Sequence, residues 1–146
     1  MGREHAHFAA GAAPLLVRWH GWRICPLVCY DLRFPVWSRR RAELDYDLLL
    51  YVANWPAARR HAWNQLLSAR AIENQTFLVG VNRIGDDGHG VAHAGESTAL
   101  DFLGMPLAQA ASAEALLTVT LDLKSLRDYR ERFPAHLDAD RFTLSG

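Results

Sequence analysis

The feature that most constrains the fold is the stretch at residues 22–37, Trp-Arg-Ile-Cys-Pro-Leu-Val-Cys-Tyr-Asp-Leu-Arg-Phe-Pro-Val-Trp. Its first part is mostly apolar and predicts a buried strand, which ends at Tyr30 and Asp31. Pro35 follows, and it suits the first turn of a helix because its missing N–H is not needed there. The pattern therefore predicts a sharp strand-to-helix turn with Cys29 at the bend.

A cysteine at such a bend has two interpretations. The turn exposes the side chain, free backbone N–H groups at the helix start can hold an oxyanion, and the positive helix end lowers the pKa of a thiol toward the reactive thiolate. In this case Cys29 is a nucleophile. In the other case it is a small buried apolar residue, as most intracellular cysteines are. Cys25, inside the apolar run, fits the second interpretation.

The composition excludes several classes of partner. The chain has 146 residues, 50% hydrophobic, with a net charge of zero. This length suits one domain with a substantial core. We expect no nucleic-acid partner, because there is no basic excess, and no membrane partner, because no apolar run reaches the about 20 residues of a spanning helix. Without a signal peptide's apolar core or a plausible disulfide, the expected compartment is the cytoplasm.

The order of the predicted elements is that of an α/β domain. Predicted strands cover residues 15–19, 22–29, 47–53, 76–82, 97–102 and 116–123, and predicted helices cover 35–44, 58–74 and 124–132. His20 and Gly21 are predicted to form a tight hairpin. Loops at the carboxyl ends of strands bind ligands in α/β proteins, so Asn54 and Trp55 are candidate site residues. Trp55 could instead belong to the core.

Five motifs resemble those of the nitrilase (carbon–nitrogen hydrolase) superfamily. They are Cys-Tyr-Asp-Leu-Arg-Phe-Pro at 29–35, Tyr-Val-Ala-Asn-Trp-Pro at 51–56, Ser-Ala-Arg-Ala-Ile-Glu-Asn-Gln at 68–75, Val-Asn-Arg-Ile-Gly at 81–85 and Gly-Glu-Ser at 95–97. Their order and spacing agree from about His5 to the C-terminus. The likeness is closest to the omega-amidase-like branch, whose members hydrolyse small carboxylate-bearing amides.

The resemblance implies a fold and an assembly. The fold is the αββα sandwich, with two sheets face to face and helices outside. Residues 1–146 resemble the C-terminal portion of a single domain of this kind, with roughly 100 residues of the N-terminal part absent by comparison with domains of ordinary size. Members commonly stack into oligomers, so a homo-oligomer is expected.

The resemblance also implies a mechanism for small amide substrates. Cys29 attacks the amide carbon and forms a thioester, while the backbone N–H of Tyr30 helps to hold the oxyanion. Glu4 matches a glutamate that supports the catalytic groups, although it could be a surface residue. Arg33 is the candidate for binding a substrate carboxylate, or else it pairs with Asp31 or another acid. Asn54 and Trp55 would line the substrate pocket. No cofactor and no metal are required.

One absence sets this chain apart from the full family pattern. The mechanism needs a glutamate base and a lysine, both placed before the cysteine, and the only lysine here is Lys124 in the late predicted helix. We therefore expect the isolated chain to be nearly inactive. Two other interpretations stay open: a non-catalytic fragment or assembly module, and a cysteine hydrolase that uses His61 or His93 as its base.

A further pair lies on the longest predicted helix. Arg70 and Glu73 stand three residues apart, a spacing that allows an ion pair on a helix. The alternative is a surface pair worth less than about 1 kcal/mol. By the resemblance, these residues are expected to connect the helix to its neighbours rather than to act in catalysis.

Overall fold

The computed structural model describes residues 6–9 and 11–140. The strands found there are β1 (Val17–Trp19), β2 (Trp22–Val28), β3 (Leu48–Ala53), β4 (Phe77–Asn82), β5 (Ile84–Asp86), β6 (Ala92–Ala94), β7 (Thr98–Leu100) and β8 (Pro106–Gln109). The α-helices are α1 (Pro35–Ser38), α2 (Arg60–Asn74) and α3 (Leu123–Arg132), with 3₁₀ helices at Cys29–Arg33, Ala57–Arg59 and Ala135–Asp138. Six strands form one sheet of order β1-β2-β3-β4-β7-β8, and β5 and β6 form a separate ribbon.

The edge of the sheet begins with the predicted hairpin. β1 and β2 are antiparallel and close at the Trp19–Trp22 pair. The two residues between them, His20 and Gly21, have φ values of +45° and +81°. Positive φ at both central residues is what a two-residue hairpin of type I′ requires, so the predicted turn is confirmed.

The centre of the sheet is parallel and positions the candidate site. β2 pairs with β3 so that Val28 faces Val52, and β3 pairs with β4 so that Val52 faces Val81. The carboxyl ends of these strands therefore lie side by side at one edge of the sheet. Residues that follow the three strands meet there.

Helix α2 covers one face of the parallel strands. Trp63 and Leu67 of α2 are fully buried against it. They reach Gly80 of β4, where a Cβ atom would lie 2.7 Å from Leu67 Cδ1 and 3.0 Å from Trp63 Cζ2. The missing side chain of Gly80 is thus what allows the helix to approach the sheet this closely.

The opposite face of the same strands is open. Val28, Val52 and Val81 are 60%, 47% and 47% exposed, although their register places them in one row. A row of half-exposed valines fits the predicted half of a sandwich, since a second sheet would cover such a face.

Helix α3 is held at the amino end of β3 by a buried arginine. Arg130 donates from Nη2 to the Tyr46 carbonyl at 2.8 Å, from Nε to the Gln75 carbonyl at 2.8 Å and from Nη1 to Asp47 Oδ1 at 3.1 Å. Asp47 is completely buried and also accepts hydrogen bonds from Arg23. Burial alone would raise the pKa of Asp47, but the hydrogen bonds and charge of Arg23 outweigh it and hold the pKa below its usual value.

Two predicted elements are wrong. The helix predicted at 35–44 ends at Ser38, and the Arg40 N–H bonds Asn74 Oδ1 at 2.7 Å instead of a carbonyl of its own helix. The strand predicted at 116–123 has no regular structure before α3. Its alternating pattern needs a neighbouring strand and a core face, but Leu116 is 94% exposed. The other predicted elements are present with boundaries shifted by a few residues. No helix within residues 6–9 and 11–140 combines the length and apolar character that crossing a membrane requires.

Candidate active site

Cys29 occupies the predicted bend. It follows β2 directly and is the first residue of the 3₁₀ helix Cys29–Arg33. Its φ of +39° lies in the left-handed region, which costs a non-glycine residue on the order of 1 kcal/mol. Strained conformations of this kind cluster at active sites. Asp31 closes the turn by accepting a hydrogen bond from the Val28 N–H at 2.9 Å. The thiol is free and half-buried, so the bend presents it at the surface of the core.

The two cysteines differ in environment, as expected. Cys25 is completely buried within β2. Burial raises the pKa of its thiol to about 11, so at neutral pH it is protonated and inert. Any thiol chemistry of the described residues therefore belongs to Cys29.

Tyr30 is the second residue of the 3₁₀ helix. The first N–H groups of a helix have no partner within it, so the Tyr30 N–H is available at this end. The ring points away from the core: it is 48% exposed and stacks edge-on against Phe34 with centroids 5.2 Å apart. The predicted contribution of Tyr30 to the site is therefore its backbone N–H.

Arg33 and Trp55 come together, although 22 positions separate them in the sequence. The Arg33 guanidinium lies over the Trp55 ring with 4.8 Å between Cζ and the ring centroid. Trp55 is only 3% exposed, so it belongs to the core, and its role in lining a substrate pocket stays a prediction. No described acid, Asp31 included, lies within ion-pair distance of Arg33.

Asn54 lies at the same edge of the sheet. It follows β3 directly, its side chain is exposed, and the pairing of Val28 with Val52 places the end of β3 beside Cys29. The parallel register therefore places three of the predicted residues directly after the neighbouring strands β2 and β3: Cys29, Asn54 and Trp55. Glu4 lies outside the described residues.

Two further residues of this region lie in the motifs at 81–85 and 95–97 but are not among the predicted site residues. Asn82, at the end of β4, bonds the backbone of Trp55 with its side-chain amide. Glu96 is buried with a φ of +58°, and its carboxylate accepts hydrogen bonds from Arg60 and Asn64. The position of Asn82 after an apolar strand, like that of Asn54, was the available signal.

A comparison with known families decides the identity. The model of the carbon–nitrogen hydrolase family matches residues 2–131. The chain belongs to this family. The predicted nitrilase superfamily membership and α/β fold class are thereby confirmed.

Individual relatives of this family member share more than half of its residues. "Omega-amidase YafV" of Yersinia enterocolitica is 56% identical over 99% of the chain. The crystal structure of XC1258 from Xanthomonas campestris, a CN-hydrolase superfamily protein with an arsenic adduct in its active site, superposes with a TM-score of 0.90 at 51% identity over 97% of the chain. An amidase from Nesterenkonia sp. AN1, with acrylamide added at its active-site cysteine, has a TM-score of 0.75 at 30% identity over 94% of the chain.

The match covers only part of these proteins. The chain spans 56% of the Yersinia protein, 56% of the Xanthomonas chain and 54% of the Nesterenkonia chain. The chain thus corresponds to little more than half the length of its relatives.

The two histidines of the cysteine–histidine interpretation differ in burial. His61 is exposed and His93 is buried in β6 against Pro56. Within the described part of the chain, neither histidine makes a hydrogen bond to the thiol. Lys124 is 81% exposed and pairs with Asp128 on α3. No group of described residues has the composition of a metal site.

Arg70 of α2 supports the bend through its buried side chain. Its side chain is 4% exposed and pairs with Glu73 at 3.1 Å. Nη2 also donates to the Leu32 carbonyl in the 3₁₀ helix at 2.8 Å. Arg70 therefore connects α2 to the segment that carries Cys29, as the resemblance implied.

A cavity of about 1340 Å³ lies next to this region without including it. Its walls come from the segment after the bend and from the C-terminal 3₁₀ helix, and Cys29, Arg33 and Trp55 do not line it. This cavity therefore borders the candidate site at Asp31 and does not contain it.

Proposed function

We propose that the protein to which these residues belong is an omega-amidase-like hydrolase of small carboxylate-bearing amides. The observation that carries this proposal is Cys29 in a strained conformation at the end of β2, with the Arg33 guanidinium in the same 3₁₀ helix. The names of its relatives, omega-amidase and amidase, support the reaction class.

The reaction begins with the thiolate of Cys29. Its sulfur attacks the amide carbon, the C=O electron pair moves to oxygen, and the resulting oxyanion is held by the Tyr30 N–H. The glutamate base of the family pattern takes the thiol proton and passes it to the leaving nitrogen, so collapse of this intermediate breaks the C–N bond and releases ammonia. Water then attacks the thioester, which releases the acid and returns the thiol.

The substrate carboxylate is the role proposed for Arg33. A guanidinium stacked on an indole keeps its charge and leaves its N–H edge free to bind a carboxylate in a two-point arrangement. The absence of a described acid near Arg33 leaves this charge to be neutralised by a ligand. Asn54, exposed at the neighbouring strand end, supplies an amide that could orient the scissile group.

The remaining catalytic groups are not in this part of the chain. The family pattern places the glutamate base and the lysine before the cysteine, with Glu4 in a supporting position. We propose that residues 1–146 are the C-terminal portion of a single carbon–nitrogen hydrolase domain, and that a homo-oligomer forms from the complete domain. The fragment interpretation differs only in expecting no acyl chemistry at Cys29.

The test is acyl transfer to Cys29 from an activated donor, which needs neither base nor lysine for its leaving group. We expect mono-4-nitrophenyl glutarate to acylate the Cys29 peptide of the 146-residue chain, as read by mass spectrometry. Cys29→Ala abolishes the adduct, whereas the matched variant Cys25→Ala keeps it, because Cys25 is buried and protonated.

Two results would contradict the proposal. If Cys29 stays unmodified under conditions that acylate a free thiol in solution, Cys29 is not the nucleophile. If His93→Ala or His61→Ala abolished the adduct while the fold was retained, a cysteine–histidine hydrolase would replace the proposed mechanism.

A further inference from the structure

Asn82 makes an unusual set of contacts with the loop that carries Trp55. The residue is 8% exposed. Its Oδ1 accepts a hydrogen bond from the Trp55 N–H at 2.7 Å, and its Nδ2 donates to the Trp55 carbonyl at 3.2 Å and to the Gly95 carbonyl at 2.9 Å. One side-chain amide thus satisfies both backbone polar groups of Trp55.

These bonds extend the sheet by one step beyond its backbone ladder. β3 and β4 pair as far as Ala53 and Asn82, and the next ladder bond runs from the Arg83 N–H to the Ala53 carbonyl at 3.1 Å. Past this point the two chains separate, and the Asn82 amide takes the place of a neighbouring backbone. The loop cannot shift without leaving two buried polar groups unpaired, which is costly.

Asn82 is itself fixed from the other side. Its N–H donates to Ser97 Oγ at 2.9 Å, and the Ser97 hydroxyl donates to the Asn82 carbonyl at 3.2 Å. Ser97 therefore fixes the backbone of Asn82, while both Nδ2 hydrogens of the side-chain amide are used by the Trp55 and Gly95 carbonyls.

The ring of Trp55 transmits this restraint to the site. Its Nε1 donates to the Arg59 carbonyl at 2.9 Å, and its ring packs on Trp63 with centroids 5.6 Å apart. The Arg33 guanidinium lies over the same ring, 4.8 Å from its centroid. Contacts thus run without a break from Asn82 through Trp55 to Arg33.

We propose that Asn82 is a positioning residue for substrate recognition: by fixing Trp55, it holds the Arg33 guanidinium where a carboxylate bound to it lies beside Cys29. This inference rests on the proposed function of Arg33. A purely structural Asn82 would affect stability alone and leave the preference for carboxylates unchanged.

Alkylation of Cys29 measures this preference in the 146-residue chain. Iodoacetate and iodoacetamide react in the same way, with the sulfur displacing iodide, and differ in that only iodoacetate carries a carboxylate. We expect Arg33→Gln to lower the ratio of the iodoacetate rate to the iodoacetamide rate roughly two- to fivefold, the range of an exposed ion pair. Asn82→Ala is expected to lower it toward the Arg33→Gln value, whereas Thr98→Val, which removes a comparable buried bond to the Ala108 carbonyl, leaves it unchanged.

A second measurement tests the positioning without relying on the carboxylate. In NMR spectra the Arg33 side-chain protons should show upfield ring-current shifts that Trp55→Leu removes. Asn82→Ala is expected to reduce these shifts and to accelerate hydrogen exchange of the Trp55 amide, and Ser97→Ala, a milder change in the same set of bonds, is expected to do so in part.

The outcomes separate the two proposals. If Arg33→Gln leaves the rate ratio unchanged, the proposed carboxylate role fails, and the NMR shifts alone decide the role of Asn82. If Arg33→Gln lowers the ratio but Asn82→Ala does not, or if Arg33 keeps its ring-current shifts in a folded Asn82→Ala variant, Asn82 has no positioning role. If Asn82→Ala does not fold, Ser97→Ala decides between the two roles by the same two measurements.

Discussion

At the scale of single residues, the backbone strain of Cys29 is the most informative feature. A non-glycine residue keeps a backbone φ of +39° only where the surrounding structure imposes this conformation. Here β2 leads into the bend, and the Asp31 carboxylate and the Arg70 guanidinium fix the turn through the Val28 N–H and the Leu32 carbonyl. The strain places the sulfur outside the core, which an unstrained continuation of the strand would not do.

This strain can be measured from the stability of two variants. We expect Cys29→Gly to be more stable than Cys29→Ala by about 1 kcal/mol, because only glycine adopts positive φ without a Cβ clash. Urea denaturation of both variants gives the difference. The neighbouring Val28, with φ −121°, serves as the control. There the alanine variant should be the more stable one, and the same order at both positions would mean that Cys29 is not strained.

The sequence pattern identified some residues of this site and missed others for a physical reason. Cys29 and Arg33 belong to one contiguous motif, and Asn54 and Trp55 directly follow an apolar run, so local signals pointed to them. The contact between Asn82 and Trp55 joins residues 27 positions apart through a side-chain amide. No periodicity encodes such a contact, because it depends on the register of β3 and β4.

At the scale of elements, the approach of α2 to the sheet depends on Gly80. We expect Gly80→Ala to destabilise the fold by about 1–3 kcal/mol, since the new methyl group would overlap Leu67 and Trp63, which are buried and have little room to move. Chemical denaturation checks this value. Gly88→Ala is the matched control, because a Cβ there meets nothing within 4 Å. Equal stability of the two variants would contradict the close packing of α2 on β4.

The docking of α3 makes a prediction about pH. Asp47 has a lowered pKa in the folded state, so its contribution is fully present above its unfolded pKa of about 4 and is lost as the pH falls through the folded value. Asp47→Asn should cost about 3–5 kcal/mol at neutral pH, because Arg23 and Arg130 lose their buried partner.

The measurement is the free energy of unfolding of both proteins between neutral and acidic pH. The difference between them should shrink below about pH 4 as the wild-type carboxylate takes up its proton. A constant difference across this range would show that the charge of Asp47 does not hold the helix. Arg130→Lys, which keeps one charge, provides a milder variant should Asp47→Asn fail to fold.

Elements that depend on local sequence were predicted better than those that depend on a neighbour. The buried run of β3 and the apolar stripe of α2 carry their own signal, and both are present. The alternation at 116–123 signals a strand only if another strand lies beside it, and within the described residues it has none. The run at 35–44 stops as a helix because the Asn74 side chain takes the Arg40 N–H.

At the scale of the whole molecule, the chain corresponds to 56% of the length of its Yersinia relative. We propose that the open row of Val28, Val52 and Val81 is covered in the complete domain, and that Lys124, exposed on α3, is not its catalytic lysine. The described residues form the sheet and the bend that hold the thiol. They do not include a second sheet over the valine row, or the lysine and the glutamate that the family pattern places before the cysteine.

The activity of the isolated 146-residue chain should reflect this division. We expect ammonia release from glutaramate to be no faster than with Cys29→Ala, because Lys124 is paired with Asp128 on α3 and no other lysine exists in the chain. Acylation by the activated ester should still occur, since its leaving group needs no proton. A chain extended by any upstream reading frame that encodes a lysine and a glutamate should gain amide hydrolysis that depends on Cys29. The 146 residues alone could instead hydrolyse the amide in a way that depends on Cys29 and is unaffected by Lys124→Ala. Such a result would show that the groups in this chain suffice for catalysis, and the proposed division of the active site would be wrong.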